Sequence, residues 1–161
     1  MNEIIRQANI EDAELIAAIV SEANKGVAQR FNLNHENSPK HPSFCNAAWV
    51  KADFERRAVY FIYELDGVPL GCVSFEIASP DTAYLNRLSV LPSARSKGIG
   101  EKLVRRHIQF SKDQEITKIS IGIIAAFTEL KNWYLKLGFK EGVTKIFDHL
   151  PFQVCYMSIE L

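Results

Sequence analysis

The chain has little to cross-link with. Cysteine occurs three times in 161 residues, at Cys45, Cys72 and Cys155. The number is odd and no Cys-x-x-Cys pair is present, so the pattern is not that of a disulfide framework. A set made of His35, His41 and Cys45 matches no common zinc spacing, and no metal is expected. No apolar run approaches the length of a membrane span. The opening Met-Asn-Glu-Ile-Ile-Arg has neither the basic start nor the long apolar stretch of a secretory signal. Together these absences point to a reducing cytoplasm. Excess charge is missing too: 19 basic residues balance 19 acidic ones, which argues against a standing nucleic-acid footprint or a basic membrane patch. Internal repeats and low-complexity tracts are likewise absent.

What remains is ordinary globular material. Hydrophobic residues make up 47% and charged residues 24%, and a chain of this length buries roughly two thirds of its unfolded surface. One domain over residues 1–161 needs no staples. Glu3 to Ala8 suits a first strand, with Asn9 and Asp12 as a helix-start signal. Leu15, Ile16, Ile19 and Val20 form a helical stripe. Between Glu22 and Phe44 the residues Asn24, Gly26, Asn32, Asn34, Asn37, Ser38, Pro39 and Pro42 crowd together, and irregular structure is expected. Trp49 to Arg57 returns to helix. Val59 to Glu64 and Pro69 to Ile77 read as strands around an Asp66-Gly67 turn, and Ser79-Pro80-Asp81 is the next turn. Thr117 to Ile124 is a β-branched run suited to a buried strand. Phe139 to Phe147 and Phe152 to Glu160 close the chain as a strand pair, with His149 to Pro151 near their turn.

The most informative stretch lies between Leu85 and His107. Leu85 to Leu91 is a strand-like apolar run stopped by Pro92. Arg95-Ser96-Lys97-Gly98-Ile99-Gly100 is a short basic turn, and from Gly100 the residues Leu103, Val104, Ile108 and Ser111 follow helical spacing. A strand, a glycine turn and a helix start make an anion site, because unpaired amides and the positive end of the helix dipole face whatever sits over the turn. Gly98 and Gly100 are expected to let a phosphate approach the backbone, and Arg95 and Lys97 to add mobile positive charge. The dinucleotide fingerprint fails because Leu103 stands where a third glycine should be. The P-loop fails because Gly100-Glu101-Lys102 does not supply Gly-Lys-Ser/Thr.

The pattern that fits is Arg/Gln-x-x-Gly-x-Gly/Ala after a Val-x-Pro strand end, here Val90-Leu91-Pro92. It resembles the pyrophosphate loop of the GNAT superfamily, the acetyl-CoA-dependent N-acetyltransferases. Downstream, Trp133-Tyr134-Leu135-Lys136-Leu137-Gly138-Phe139 resembles that family's Tyr-x-Lys-x-Gly-Phe helix end. Leu130, Tyr134 and Leu137 share a face there, and Gly138 is a natural left-handed stop.

The element order β-α-α-β-β-β-α-β-α-β-β also matches that family. The resemblance implies an α/β fold with a mixed, mostly antiparallel sheet of about seven strands, flanked by helices and splayed between strands 4 and 5. It implies acetyl-CoA as cosubstrate. The backbone of Leu88, Ser89 and Val90 would meet the pantetheine arm as an added strand, and Arg95 to Gly100 would hold the pyrophosphate. Tyr134 would protonate the leaving thiolate. Glu76, opposite the set Val73, Phe75 and Ile77, is the candidate base, with Glu64 second to it. Phe127 stands where many members have asparagine, which leaves open acetyl against a longer acyl donor. The acceptor would be an amine of a small molecule or peptide, chosen by the segments Glu22–Phe44 and His149–Phe152, with Arg30, His35, His41, Phe44 and His149 as candidates. No nucleic acid or membrane partner is expected, and the protein would be a monomer or homodimer. A catalytically silent acyl-CoA-binding module is the alternative.

Overall fold

Both faces of the central strands are apolar, so the sheet they form must be covered on both sides. In the computed structural model, which describes Met1–Leu161, seven strands form one sheet. They are β1 (Glu3–Gln7), β2 (Val59–Leu65), β3 (Val68–Ser79), β4 (Thr82–Val90), β5 (Lys118–Ile124), β6 (Lys140–Lys145) and β7 (Val154–Glu160), in the order β1-β2-β3-β4-β5-β7-β6. Four helices cover it: α1 (Ala13–Arg30), α2 (Ala47–Glu55), α3 (Ile99–Asp113) and α4 (Thr128–Lys136). Successive residues of β2 go to opposite layers. Phe61 joins Val73, Leu85, Leu103 and Ile119 in one core, while Tyr60 and Ile62 join Ile16, Val20, Val50 and Cys72 in the other. The element order, the mixed topology and the tight Asp66-Gly67 turn, with φ of 50° and 80°, are as the sequence suggests.

Every strand pair is antiparallel except β4–β5, which is parallel and short. It pairs Thr82, Ala83 and Tyr84 with Lys118, Ile119 and Ser120, and then stops. Beyond that point β4 and β5 diverge, each held only by its other neighbour. A second irregularity lies on β4 itself. Cys72 faces Ser89 and Ser74 faces Asn86, so Arg87 and Leu88 together oppose Val73. This is a β-bulge, with Arg87 at φ 52°. It reverses the alternation, so that Leu88 and Val90 turn to the core that holds Leu85.

Several boundaries differ from expectation. The irregular stretch begins at Phe31, not at Glu22, because Ala23 and Ala28 continue the buried stripe of Ile16 and Val20. Asn24 is accommodated by donating from Nδ2 to Val20 O at 2.7 Å. The remaining loop is tied by Asn34, whose Oδ1 accepts from the amides of Glu36 and Asn37 at 2.9 Å each. Helix α2 starts at Ala47, where Asn46 caps it by accepting from the Trp49 amide at 3.0 Å. Ile77 is exposed, so the apolar face of β3 ends at Phe75. The strand expected over Phe139–Phe147 shrinks to Lys140–Lys145, an edge strand with every residue exposed.

His107 on α3 is wholly buried against the sheet. Its Nε2 donates to Tyr84 O at 3.1 Å, at the last residue of β4 paired to β5. Burial pushes the imidazole down to about 4 from its ordinary 6.5. Above 6.5 the ring is neutral folded and unfolded alike. Below it the unfolded chain takes up a proton that the folded one refuses, so stability falls between pH 6.5 and about 4 and then levels. The loss should reach about 3 kcal/mol. His107→Gln, which keeps a donor but cannot titrate, should flatten that part of a urea-denaturation profile against pH. An unchanged slope would assign the acid sensitivity elsewhere.

Candidate functional site

The parting of β4 from β5 opens two adjoining clefts of about 470 and 440 Å³. They share Asn24, Val27, Leu88, Phe127 and Leu130, which therefore mark the junction between them. One cleft is walled by the Arg95–Gly100 loop and the other by Tyr134 and Glu76.

In the loop cleft the backbone does the work. A single helical turn over Pro92–Ala94 ends β4, Ser96 adopts φ 65°, and Gly98 precedes α3 at φ 79°. From Ser96 to Glu101 no amide donates to a protein acceptor; the first to do so is that of Lys102, to Gly98 O at 3.1 Å. Gly98 offers no side-chain cap. These free amides lie at the positive end of the helix dipole, an arrangement suited to an anion. The two glycines have different reasons to be glycine. Gly98 has open space around a would-be Cβ, and its positive φ is what requires it. Gly100 lies in the helix, where a Cβ would stand 3.2 Å from the Trp133 ring.

Arg95 is not the mobile charge expected. Its Nε donates to Val90 O at 3.2 Å and its Nη2 to Ala23 O, so it braces the loop against β4 and α1. Lys97 is exposed and makes no ion pair. Leu88 and Val90 pack their side chains on the core, and Ser89 is buried, its Oγ donating to Arg87 O at 3.1 Å. The backbone edge of these residues on the β5 side is unpaired.

Tyr134 is fixed by how its helix ends. The Gly138 amide donates to Leu135 O and the Phe139 amide to Tyr134 O, both at 3.1 Å, with Gly138 at φ 104°. This is a Schellman motif, and the apolar contact that accompanies it is the pair Tyr134–Phe139, with ring centroids 5.2 Å apart. Trp133 closes the other side at 5.0 Å. Tyr134 is 4% exposed, and burial raises its phenol above the usual value. The hydroxyl has no partner in the protein, yet the one buried side-chain polar atom sealed without a partner is Ser38 Oγ. The phenol thus opens onto the cleft.

Glu76 lines the same cleft, with Arg56 Nε donating to its Oε1 at 3.3 Å. Glu64 does not: it sits on β2 and accepts from Arg6 Nε at 2.8 Å, away from both clefts. Of the segments expected to meet an acceptor, Asn24, Val27, His41, Pro42 and Phe152 line the tyrosine cleft. Arg30 instead pairs with Glu129 over the Phe31 and Phe127 rings, His35 stacks on Phe44 at 3.8 Å, and His149 packs on Phe147. Phe127 makes the junction apolar on the α4 side, and Asn24 is its single polar side chain. Asn24 donates to Ser89 Oγ at 3.3 Å as well as to Val20 O, leaving its Oδ1 without a partner.

Sequence reasoning missed Asn24 and also a charged cluster. Asp53, buried on α2, accepts from Tyr60 Oη, Arg56 Nη2 and Arg87, the last from Nε at 2.7 Å. Burial alone would raise its carboxyl, but the hydrogen bonds from Arg87 and Tyr60 outweigh this and hold it below the usual range. No local pattern joins Asp53 to Arg87, 34 residues apart; the bulge in β4 does. No group of three or more His, Cys, Asp or Glu side chains is placed to hold a metal, and no helix is long and apolar enough to cross a membrane.

This mixed sheet with one short parallel pair, a glycine loop and a tyrosine-bearing helix end defines an acyltransferase-like architecture. The model of the acetyltransferase (GNAT) family matches residues 25–139, more than half of the chain, and the chain belongs to that family. Among solved structures, an N-acetyltransferase from Staphylococcus aureus Mu50 is similar with 24% identity and a TM-score of 0.74, covering 99% of each chain. The paia N-acetyltransferase from Thermoplasma acidophilum, in complex with coenzyme A, reaches a TM-score of 0.80 at 19% identity over 100% of both chains. The structure of yncA from Salmonella typhimurium with its cofactor acetyl-CoA gives 0.74 at 21% identity, over 100% of this chain and 95% of that one. Among curated proteins no sequence relative is found.

The Schellman stop is open to a direct test. Gly138→Ala would force a side chain into φ 104° and bring its Cβ within 3.3 Å of Ile159. It should cost about 1–3 kcal/mol in urea denaturation and alter the near-ultraviolet circular dichroism of the Trp133–Tyr134 pair. An unchanged midpoint would mean that the helix end relaxes freely.

Proposed function

We propose that the protein is an N-acetyltransferase that moves the acetyl group of acetyl-CoA to a primary amine of a small molecule or peptide by direct attack. The observation that carries this reading is the continuity of the two clefts. A row of free amides at one end leads, past an unpaired strand edge, to an unpartnered phenol at the other. The solved structures similar in fold include ones with coenzyme A or acetyl-CoA bound, which supports the same ligand here.

In this reading the amides from Ser96 to Glu101, with Lys97 beside them, hold the pyrophosphate. Leu88, Ser89 and Val90 offer backbone groups to the pantetheine arm, although Val90 O is already used by Arg95. Asn24 Oδ1 stands ready for an amide N–H at the junction. The acceptor must attack as a neutral amine. Its nitrogen bonds to the thioester carbonyl carbon, the C–S bond breaks, and the amine proton passes to Glu76, whose Oε2 has no partner in the protein. Tyr134 gives its proton to the departing sulfur. Burial raises the phenol and would equally disfavour a free thiolate beside it, so both ends of the proton transfer shift in the same direction.

Tyr134→Phe removes one oxygen and keeps the ring packing. It should lower kcat by about 10²–10⁴-fold in a thiol-release assay, with KM for acetyl-CoA little changed. Near-full kcat with chemistry rate-limiting would make the tyrosine structural and leave water as the proton source.

Gly98→Val tests the loop separately. A β-branched residue cannot hold Gly98's φ of 79° without strain, so the loop amides would shift, and coenzyme A affinity by calorimetry should fall by about tenfold or more. Unchanged affinity in a folded variant would sink the pyrophosphate assignment. Intact coenzyme A binding with no thiol release for any amine would identify a silent acyl-CoA-binding module instead.

A further inference from the structure

The tyrosine cleft contains four charged side chains, two of each sign: Asp53, Glu76, Arg56 and Arg87. Accounting for their hydrogen bonds shows which of them remain available. Asp53 is spent. Its Oδ2 accepts from Tyr60 Oη and from Arg87 Nε at 2.7 Å, its Oδ1 from Arg56 Nη2 and from Arg87 Nη2 at 3.4 Å, and its side chain is 5% exposed. It serves as a buried counter-ion that fixes two guanidinium groups. Each arginine spends two nitrogens. Arg87 gives Nε and Nη2 to Asp53, and Arg56 gives Nη2 to Asp53 and Nε to Glu76. The Nη1 group of both has no acceptor in the protein, and Glu76 Oε2 has no donor.

The placement of Arg87 is unusual in itself. Its φ of 52° at the β4 bulge is a conformation that a non-glycine residue holds only when its surroundings impose it. Here Asp53 and the Trp49 ring, 5.8 Å from the guanidinium carbon, hold the side chain on the cleft wall. A bulge that aims an arginine into a cleft is a feature to explain. Stability of the sheet alone does not ask for it.

A cleft of zero net charge does not suit a polycation, since each cationic site on such an acceptor would need its own free carboxylate. One free carboxylate oxygen beside two free guanidinium N–H groups suits a zwitterion. We propose that the acceptor is an amine that also carries a carboxylate, as an α-amino acid does, with the carboxylate taken by Nη1 of Arg56 and Arg87 and the amine directed to Glu76. Guanidinium groups are the natural partners for a planar carboxylate. This inference rests on the acetyl-transfer reading of the same site.

The test uses the intact protein and matched acceptors: free L-amino acids, the corresponding amino acid amides, the decarboxylated amines and spermidine. In thiol release with acetyl-CoA, the amino acids should exceed their amides at least tenfold in kcat/KM. Arg56→Ala, at an exposed side chain, should collapse that preference by about 10- to 100-fold through KM for the amino acid. Arg87→Lys keeps a cation against Asp53 while losing the fork, and should do the same. Calorimetric titration of amino acids into the coenzyme A-loaded protein gives a readout independent of turnover. Amides or spermidine reacting as well as amino acids would overturn the proposal and leave acetyl transfer standing. Arg56-dependent amino acid binding without thiol release would uphold the carboxylate site and overturn acetyl transfer. Amino acids that neither bind nor react would overturn the carboxylate site outright.

Discussion

Three residue pairs hold β4 to β5, and the two clefts of the domain open because there are not more. The parallel ladder ends at Tyr84 and Ser120. Past it, two strands continue inside the domain with edges that no protein strand satisfies. Such edges are costly when buried and hazardous when exposed. This chain leaves them facing a cleft, where an extended ligand can pair with them. The two outer halves of the sheet are ordinary antiparallel arrays. Different helices pack on each: α1 and α3 on the β3–β4 side, α4 against β6 on the other.

Two glycines with positive φ then shape the chain on either side of the gap. Gly98 turns the chain into α3 without a capping side chain, so the amides that a cap would satisfy stay free. Gly138 turns the chain out of α4, and the motif it completes packs Phe139 on Tyr134. One glycine exposes a helix start and the other locks a helix end. Both act through the backbone; Gly98 itself lines a cleft, whereas Gly138 acts through the Tyr134 that its turn holds there.

This backbone logic explains what was legible in the sequence. The Asp66-Gly67 turn, the Arg95–Gly100 loop and the Tyr134–Phe139 helix end are local, each set by fewer than ten consecutive residues. The alternation that placed Glu76 on the face opposite Val73 and Phe75 was local too. What could not be read depends on distant partners. Asn24 looked like loop because the buried stripe of α1 continues past it through small alanines. Arg95 looked free because the carbonyl that restrains it belongs to Ala23. Glu64 looked eligible as a base until Arg6 was seen to hold it. The bulge at Arg87 leaves no mark in a strand of alternating character, and the cluster around Asp53 depends on it.

That cluster shows how a buried charge can be stable and useful at once. An isolated carboxylate as enclosed as Asp53 would be strongly disfavoured. Four hydrogen bonds, three of them from guanidinium groups, offset the desolvation. Replacing the whole set by apolar residues could give an equally stable core, as is common for buried ion pairs. What such a core could not do is hold two arginines at the wall of a cleft with Nη1 of each left over. The surplus donors are the reason the arrangement makes sense as a site. Arg56 also tethers Glu76, so the carboxylate proposed to receive a proton and the arginines proposed to receive an anion are linked through Asp53 on α2. This linked set and the loop that follows α1, through His41 and Pro42, together line the cleft.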